Sequence, residues 1–356
     1  MRLFVSITGH GYGHVAQTAP VIGTLRERLP DLGLCIQSDV PRAYLETRIA
    51  PPFEQQAGFE DFGLYMRDAL NIDLERTAQA YAARHARWDA VVEEQMHVLA
   101  RWQPDLVLAN VGYVVLEAAA RLGIPAFAMS SLNWAGIYRH CFGDRPEAPA
   151  VFARMVAAYD SARAFLCPLP SMPMPELSNV QPIGPIARLG RDRREAILQA
   201  LGAAPEDRLI LVAFGGTPLR LPIEDWPVVA GVRWLVPAEW GVDRADCHPL
   251  EALGMGVTDV IRSCDAVLGK IGYGTVAECL CNGTALLYVP RPDWPEEAAL
   301  LGAMRTHGRC APVGRASLQT GIGAGLLDAL WAQPVREPLQ PTGAVQAAER
   351  LLGARG

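Results

Sequence analysis

No run of lysines and arginines longer than two or three residues occurs in this chain, and its net charge is −6. A nucleic-acid binder needs a basic stripe, so that function class is excluded, and docking on anionic lipid loses its main attraction. There is no CxxC pair and no framework spacing among the eight cysteines (35, 141, 167, 247, 264, 279, 281, 310). Most lie in apolar runs, as expected of small buried hydrophobes in a reducing compartment. No apolar stretch reaches membrane-spanning length. The run "LFVSI" at the N-terminus is too short for a signal sequence and is broken at once by Gly9 to Gly13. Internal repeats and low-complexity segments are also missing. These absences describe a protein of the cytoplasm with no nucleic-acid partner and no stable membrane insertion, expected as a monomer or weak dimer.

Half of the 356 residues are apolar and a fifth are charged, a globular balance. The length suggests two domains of roughly 150 to 180 residues. "RLFVSI", "GLCIQS", "DLVLANV" and "PAFAMSS" read as short strands between amphipathic helical stretches, with a helical or irregular segment from Tyr65 to Trp102. A second series begins near residue 186 with "LILVAFGG", "VRWLVP", "AVLGKIG" and "ALLYVP". Such alternation predicts parallel sheets covered on both faces, an α/β fold of two doubly wound halves. The expected division is 1–167, a proline-rich linker 168–187 too dense in proline for a ladder, 188–334, and a last helix 335–356. That helix, "GAVQAAERLLGA", is expected to return to the N-terminal half. Two such halves place a ligand cleft between the carboxyl ends of their sheets.

Four stretches fall at that cleft. In "GHGYGH", Gly9, Gly11 and Gly13 let the chain turn sharply after the first strand, and His14 stands at the start of a helix. His10 and His14 could be metal ligands, although no third ligand is near; His14 could simply cap a turn; or it could be a general base kept neutral by the positive helix end. "VAFGGTPLR" ends a strand in Gly215, Gly216 and Thr217, whose amides could cradle phosphate. Gly272, Gly274 and Thr275 open another helix that could face a pyrophosphate. Glu278, one turn on, could close a capping box with Thr275 or accept hydrogen bonds from a ribose. Finally, Asp293, Glu296 and Glu297 gather after the strand "ALLYVP", where they could complement a helix dipole or meet a sugar.

"GHGYGHVAQ" resembles the N-terminal glycine–histidine loop of GT-B glycosyltransferases of the UDP-N-acetylglucosamine transferase type. "GKIGYGTVAE" and "RPDWPEEAALL" are closer still to the glycosyltransferase-like N-terminal region of plant L-arabinokinases. "PDLVLANVGYVVLEAAARLGIPAFAMSSLNWAGIY" and "AFGGTP" are similar to that region too, so the resemblance covers most of residues 1 to 320. The kinase half of those proteins has no counterpart, and sugar kinase activity is not implied.

The resemblance implies a GT-B fold whose C-terminal half binds a nucleotide diphosphate sugar, most simply a UDP-sugar. Gly216 with Thr217, and Gly274 with Thr275, match its phosphate loops. Glu278 matches the ribose carboxylate, Met255 and Gly256 the segment at the base, and His14 the loop histidine. Asp293 and Glu296 fall where relatives place an Asp-Gln pair against the donor sugar, so the Trp-Pro insertion and the Glu are departures. Asn110 and Asn133, at the ends of N-terminal strands, would face the acceptor. The implied activity is transfer to an unidentified acceptor hydroxyl, with no cofactor and no metal. A nucleotide-sugar hydrolase, an epimerase or a non-catalytic nucleotide-sugar sensor on the same scaffold are the alternatives.

Overall fold

A computed structural model describes residues 1–10, 12–58, 62–67, 71–215 and 219–353. Seven strands form the first sheet: β1 (Arg2–Ile7), β2 (Gly33–Gln37), β3 (Glu54–Gln56), β4 (Leu106–Asn110), β5 (Ala126–Met129), β6 (Phe165–Pro168) and β7 (Val180–Ile183). Six form the second: β8 (Arg208–Val212), β9 (Val232–Val236), β10 (Cys247–Pro249), β11 (Ala266–Lys270), β12 (Ala285–Val289) and β13 (Cys310–Pro312). Their orders are 3-2-1-4-5-6-7 and 10-9-8-11-12-13. Every pairing within them is parallel.

Burial on both faces explains the nearly unbroken apolar strands. Phe4, Val107 and Ala109 join the apolar cluster on one face of the first sheet, while Leu3, Val5, Leu106 and Leu108 join the cluster on the other. The second sheet is sandwiched in the same way, with Ile210 and Leu268 on one side and Leu211 and Val267 on the other. Period-two side-chain alternation sends neighbours to opposite layers, so only a doubly covered sheet suits such strands. Among the described residues no helix is long and apolar enough to cross a membrane.

The proline-rich connection departs from expectation. Residues 180–183 pair with β6 as the last strand of the first sheet, Pro182 standing opposite Cys167. Pro182 is tolerated because an edge strand needs only one row of ladder bonds. Beyond it, the Tyr273 hydroxyl accepts a hydrogen bond from the Ile186 amide at 2.8 Å, tying the connection to the second half.

The helix Gly343–Gly353 packs against the first helix, Gly13–Arg28, and against β7. Ala347, Ala348 and Leu351 are fully buried there, whereas the Arg28–Glu349 pair at its edge is solvent-exposed and contributes little. Close approach depends on Gly343: a Cβ on it would overlap the Gly184 carbonyl oxygen. Gly343→Ala is expected to cost about 1–3 kcal/mol through that overlap. The exposed Val345→Ala control should stay within about 0.5 kcal/mol. Equal denaturation midpoints for the two variants would contradict this account of the helix's docking.

Candidate active site

In each sheet the strand order reverses between two neighbours, β1 and β4 in the first and β8 and β11 in the second. Loops leaving neighbouring strands at such a point diverge to opposite faces and open a crevice. His14 and Asn110 lie at the first of these points and Gly215 with Gly272 to Glu278 at the second, whereas Asn133 follows β5, Met255 and Gly256 follow β10, and Asp293 to Glu297 follow β12.

His14 is the second residue of helix Gly13–Arg28 and is buried, at 5 % exposure. Its Nδ1 lies 2.8 Å from Oδ1 of Asn110, the last residue of β4. Asn110 Nδ2 donates to Gln17 Oε1 at 3.1 Å, and Gln17 Nε2 donates to Ser131 Oγ at 2.8 Å. All four side chains are buried. With Asn110 Nδ2 donating to Gln17, Oδ1 faces the imidazole, which assigns the proton to Nδ1 and leaves Nε2 without a hydrogen-bond partner among the described residues. Burial pushes the His14 pKa down to about 4, with the Asn110 hydrogen bond opposing the shift. The imidazole is therefore neutral through the physiological range, the state a general base requires.

His10 stands beside it. Its ring packs edge-on against Trp134 and stacks on Trp294, which comes from the opposite half, at centroid distances of 5.5 and 6.1 Å. Its Nδ1 faces the Leu64 carbonyl at 3.0 Å. Desolvation, then the neighbouring His14 and Lys270, take its pKa to about 3. Each of the two histidines thus has Nδ1 engaged by a neutral acceptor. Among the described residues no group of three or more His, Cys, Asp or Glu side chains is arranged around a metal position.

Across the cleft, Gly215 follows β8 with φ +80°, a left-handed conformation that favours glycine. The Lys270 Cε lies only 3.7 Å from where its Cβ would be. Lys270 ends β11 and is the single lysine among the chain's 32 basic residues. Burial and the like-charged Arg291 push its pKa down to about 8. Gly272 is the N-cap of helix Tyr273–Asn282, with no side chain capping it. Thr275 lies inside that helix, so the Thr275–Glu278 capping box does not form. Gly274 lies against Ala16 of the first helix, which brings the two helix starts face to face.

Glu278 instead sits 4.0 Å from Arg48 of the first half. Burial raises its pKa, and Arg48 and Arg188 pull it back. Gly256 caps the short helix Val257–Ser263, and Met255 packs on the outer apolar layer beneath it.

The loop after β12 is rigidly held. The Glu297 carboxylate accepts the Arg291 backbone N–H, and Trp294 Nε1 donates to Glu296 Oε2 at 3.2 Å. Glu296 is buried; desolvation raises its pKa, opposed first by Ser131 and then by Trp294. Ser131 thereby links the His14 chain to the opposite half. Asp293 is exposed at a cavity of about 650 Å3 between the halves.

Several sequence expectations change. Asn110 does not point a free amide at an acceptor: both its ends are used in holding His14 and Gln17. Asn133 caps helix Trp134–Phe142 through the Gly136 amide and donates to Glu176, so both ends of its amide are engaged. Glu297 braces its own loop. Gly11, Gly216 and Thr217 lie outside the described residues. Sequence reasoning passed over Lys270, Gln17, Ser131 and Arg48. Lys270 carried a signal, being the only lysine and standing directly before the Gly272 turn; the other three had none.

The two facing halves have the GT-B architecture, and comparison with known proteins agrees. No family model matches the chain. L-arabinokinase of Arabidopsis thaliana is 26% identical over 303 residues, 83% of this chain but 28% of that protein. An uncharacterized glycosyltransferase of Methanopyrus kandleri is 22% identical over 229 residues, 59% of this chain and 64% of its own length. The chain thus spans less than two thirds of either relative. Among solved structures, UGT89C1 of Arabidopsis thaliana complexed with UDP superposes with a TM-score of 0.58 at 14% identity, covering 99% of this chain and 94% of that one. The calicheamicin glycosyltransferase CalG4 gives 0.62 at 14% identity, covering 100% and 95%. SnogD of Streptomyces nogalater, also a glycosyltransferase, gives 0.56 at 19% identity over the whole of both chains. At these identities the likeness establishes the fold.

The Asn110 contact makes a pH prediction. In Asn110→Asp, Gln17 can turn its amide to donate, and a carboxylate then stabilises the imidazolium, raising the His14 pKa above about 4. In the wild type the unfolded chain takes up this proton first, near the ordinary value of 6.5, so stability falls as pH drops from about 6.5 toward 4. The Asp variant should narrow that window. Ring titration by NMR checks it, and an unmoved His14 pKa would remove Asn110 from control of the base.

Proposed function

We propose that the protein is a glycosyltransferase that moves a sugar from a nucleotide diphosphate sugar, a UDP-sugar, to an acceptor hydroxyl. The observation that carries this reading is the buried His14, whose Nδ1 is engaged by Asn110 and whose Nε2 has no hydrogen-bond partner among the described residues, at the switch point opposite the Gly215–Lys270 corner. The fold shared with a UDP-bound UGT89C1 and with CalG4 supports the reaction class and the uridine donor. In this reading residues 1–167 form the acceptor side and 188–334 the donor side, with 335–356 bracing the first.

His14 Nε2 takes the acceptor hydroxyl proton as that oxygen attacks the anomeric carbon. The bond from that carbon to the diphosphate oxygen breaks, and the electron pair leaves with the nucleoside diphosphate. The amides starting helix Tyr273–Asn282 and the Lys270 ammonium receive that charge. Lys270, with a pKa of about 8, keeps most of its charge at neutral pH and loses it as pH rises through that value, so phosphate binding should weaken over the same range. Glu278 holds the ribose, exchanging its contact with Arg48 for hydroxyl donors. Glu296, buried beside Ser131 and Trp294, faces the sugar.

Incubation with a panel of nucleotide sugars, with and without a mixture of hydroxyl acceptors, should release free nucleotide from a uridine donor. His14→Ala should lower turnover by about 10² to 10⁴ while UDP affinity stays unchanged. Lys270→Gln should do the reverse at the binding step, weakening UDP by about 1.5–3 kcal/mol, the worth of a charge-assisted hydrogen bond. A His14→Ala enzyme of near-full turnover would end the assignment of the base. Release without transfer to any acceptor would favour hydrolysis, with water in the acceptor's place.

A further inference from the structure

The cavity between the halves is lined by more cations than carboxylates. Its N-terminal wall includes Arg67, Asn71 and His140, and its C-terminal wall includes Arg291, Asp293 and Arg315. At about 650 Å3 it is large enough for a small organic molecule. Three guanidiniums thus face one carboxylate among the described lining residues, Arg67 being paired outside the lining with Asp73 at 3.9 Å, in a chain whose net charge is −6. The two glutamates nearest Arg291 form no ion pair with it, Glu297 accepting from the backbone of its own loop and Glu296 from Trp294, although their charges offset part of the guanidinium's own.

Arg291 is itself buried, with its guanidinium carbon 4.5 Å over the Trp294 ring, and among the described residues it makes no ion pair. Arg315, which is exposed, reaches across the cleft to Asn71 Oδ1 at 3.0 Å, a neutral partner. A buried guanidinium whose carboxylates lie beyond ion-pair distance keeps its N–H donors available to an arriving anion.

Resting on the glycosyltransferase reading above, we propose that this cavity receives the acceptor and that the acceptor carries an anionic group, a carboxylate or a phosphate monoester, held by Arg291 and Arg315 with Arg67 at the mouth. The group belongs to the acceptor because the donor phosphates have the Gly215–Lys270 corner, and because half of the cavity wall comes from the N-terminal residues. Trp294 separates the cavity from His10, so an acceptor anchored by its anion extends its hydroxyl past that ring toward His14. The planar fork of arginine suits both anions, and Arg291 and Arg315 differ in burial, which gives the site a fixed inner contact and an adjustable outer one.

Calorimetry on the full chain saturated with UDP tests this with three probes: glucose, glucose 6-phosphate and glucuronate. At least one anionic probe should bind about tenfold or more tightly than glucose, the size of one charge-assisted hydrogen bond. Which of the two does so identifies the group. Arg291→Gln and Arg315→Gln should each reduce that preference several-fold, and Arg315→Gln should leave UDP affinity as it was. Equal binding of all three sugars, or a preference that survives both substitutions, overturns the proposal. A preference found instead between UDP-glucuronate and UDP-glucose assigns the anion to the donor and also overturns it. Failure of the wild type to bind UDP would strike the glycosyltransferase reading alone, because the three sugars can be compared again without UDP.

Discussion

Parallel pairing is the constraint on which the rest of this molecule depends. Parallel strands need a crossover after each strand, so all carboxyl ends of a sheet lie on one edge and every outgoing loop leaves from there. Reversing the strand order once per sheet, between β1 and β4 and between β8 and β11, opens one crevice in each half. The chain then folds the two crevices toward each other. Gly274 against Ala16, Arg48 near Glu278, and His10 on Trp294 are contacts between loops or helix starts at those two edges. None of these residues is near its partner in sequence.

Bringing so many polar groups together under burial has a cost, and the manner in which it is met gives the cleft its chemistry. The first half uses neutral hydrogen bonds: His14, Asn110, Gln17 and Ser131 satisfy one another in a single direction, leaving the proton on Nδ1. The second half leaves cations outside ion pairs among the described residues, Lys270 beside Gly215 and Arg291 over Trp294. Such an asymmetry suits a reaction in which a neutral base works on one side and negative charge accumulates on the other. An apolar cleft would be more stable, and the retained cations point to an anionic occupant.

The doubly wound architecture was legible because apolar runs at strand length, separated by amphipathic helices, permit little else. What escaped was short or contrary to local preference. β3, β10 and β13 have three residues each, too few to show a period. β7 hid in the proline-rich connection because composition does not reveal that a strand lies at an edge. His14 and Glu278 stood out through the glycines that precede them. Asn110 and Asn133 looked alike as strand-terminal amides, and only tertiary contacts separate the one that orients His14 from the one that caps a helix. Lys270 was overlooked because a lone basic residue at a strand end has many ordinary explanations; its uniqueness in the chain was the available clue.

That uniqueness also supplies the most direct measurement of the central claim, that the crevice between β8 and β11 holds a nucleoside diphosphate. Apart from the N-terminal amine, Lys270 is the only amine in the chain that an acylating reagent can label, and its pKa of about 8 leaves a reactive fraction near neutrality. Labelling followed by mass spectrometry, in the presence of rising UDP, should show Lys270 protected in a saturable way while the N-terminus reacts at an unchanged rate. Lys270 labelling that proceeds equally fast with and without saturating UDP would contradict the account.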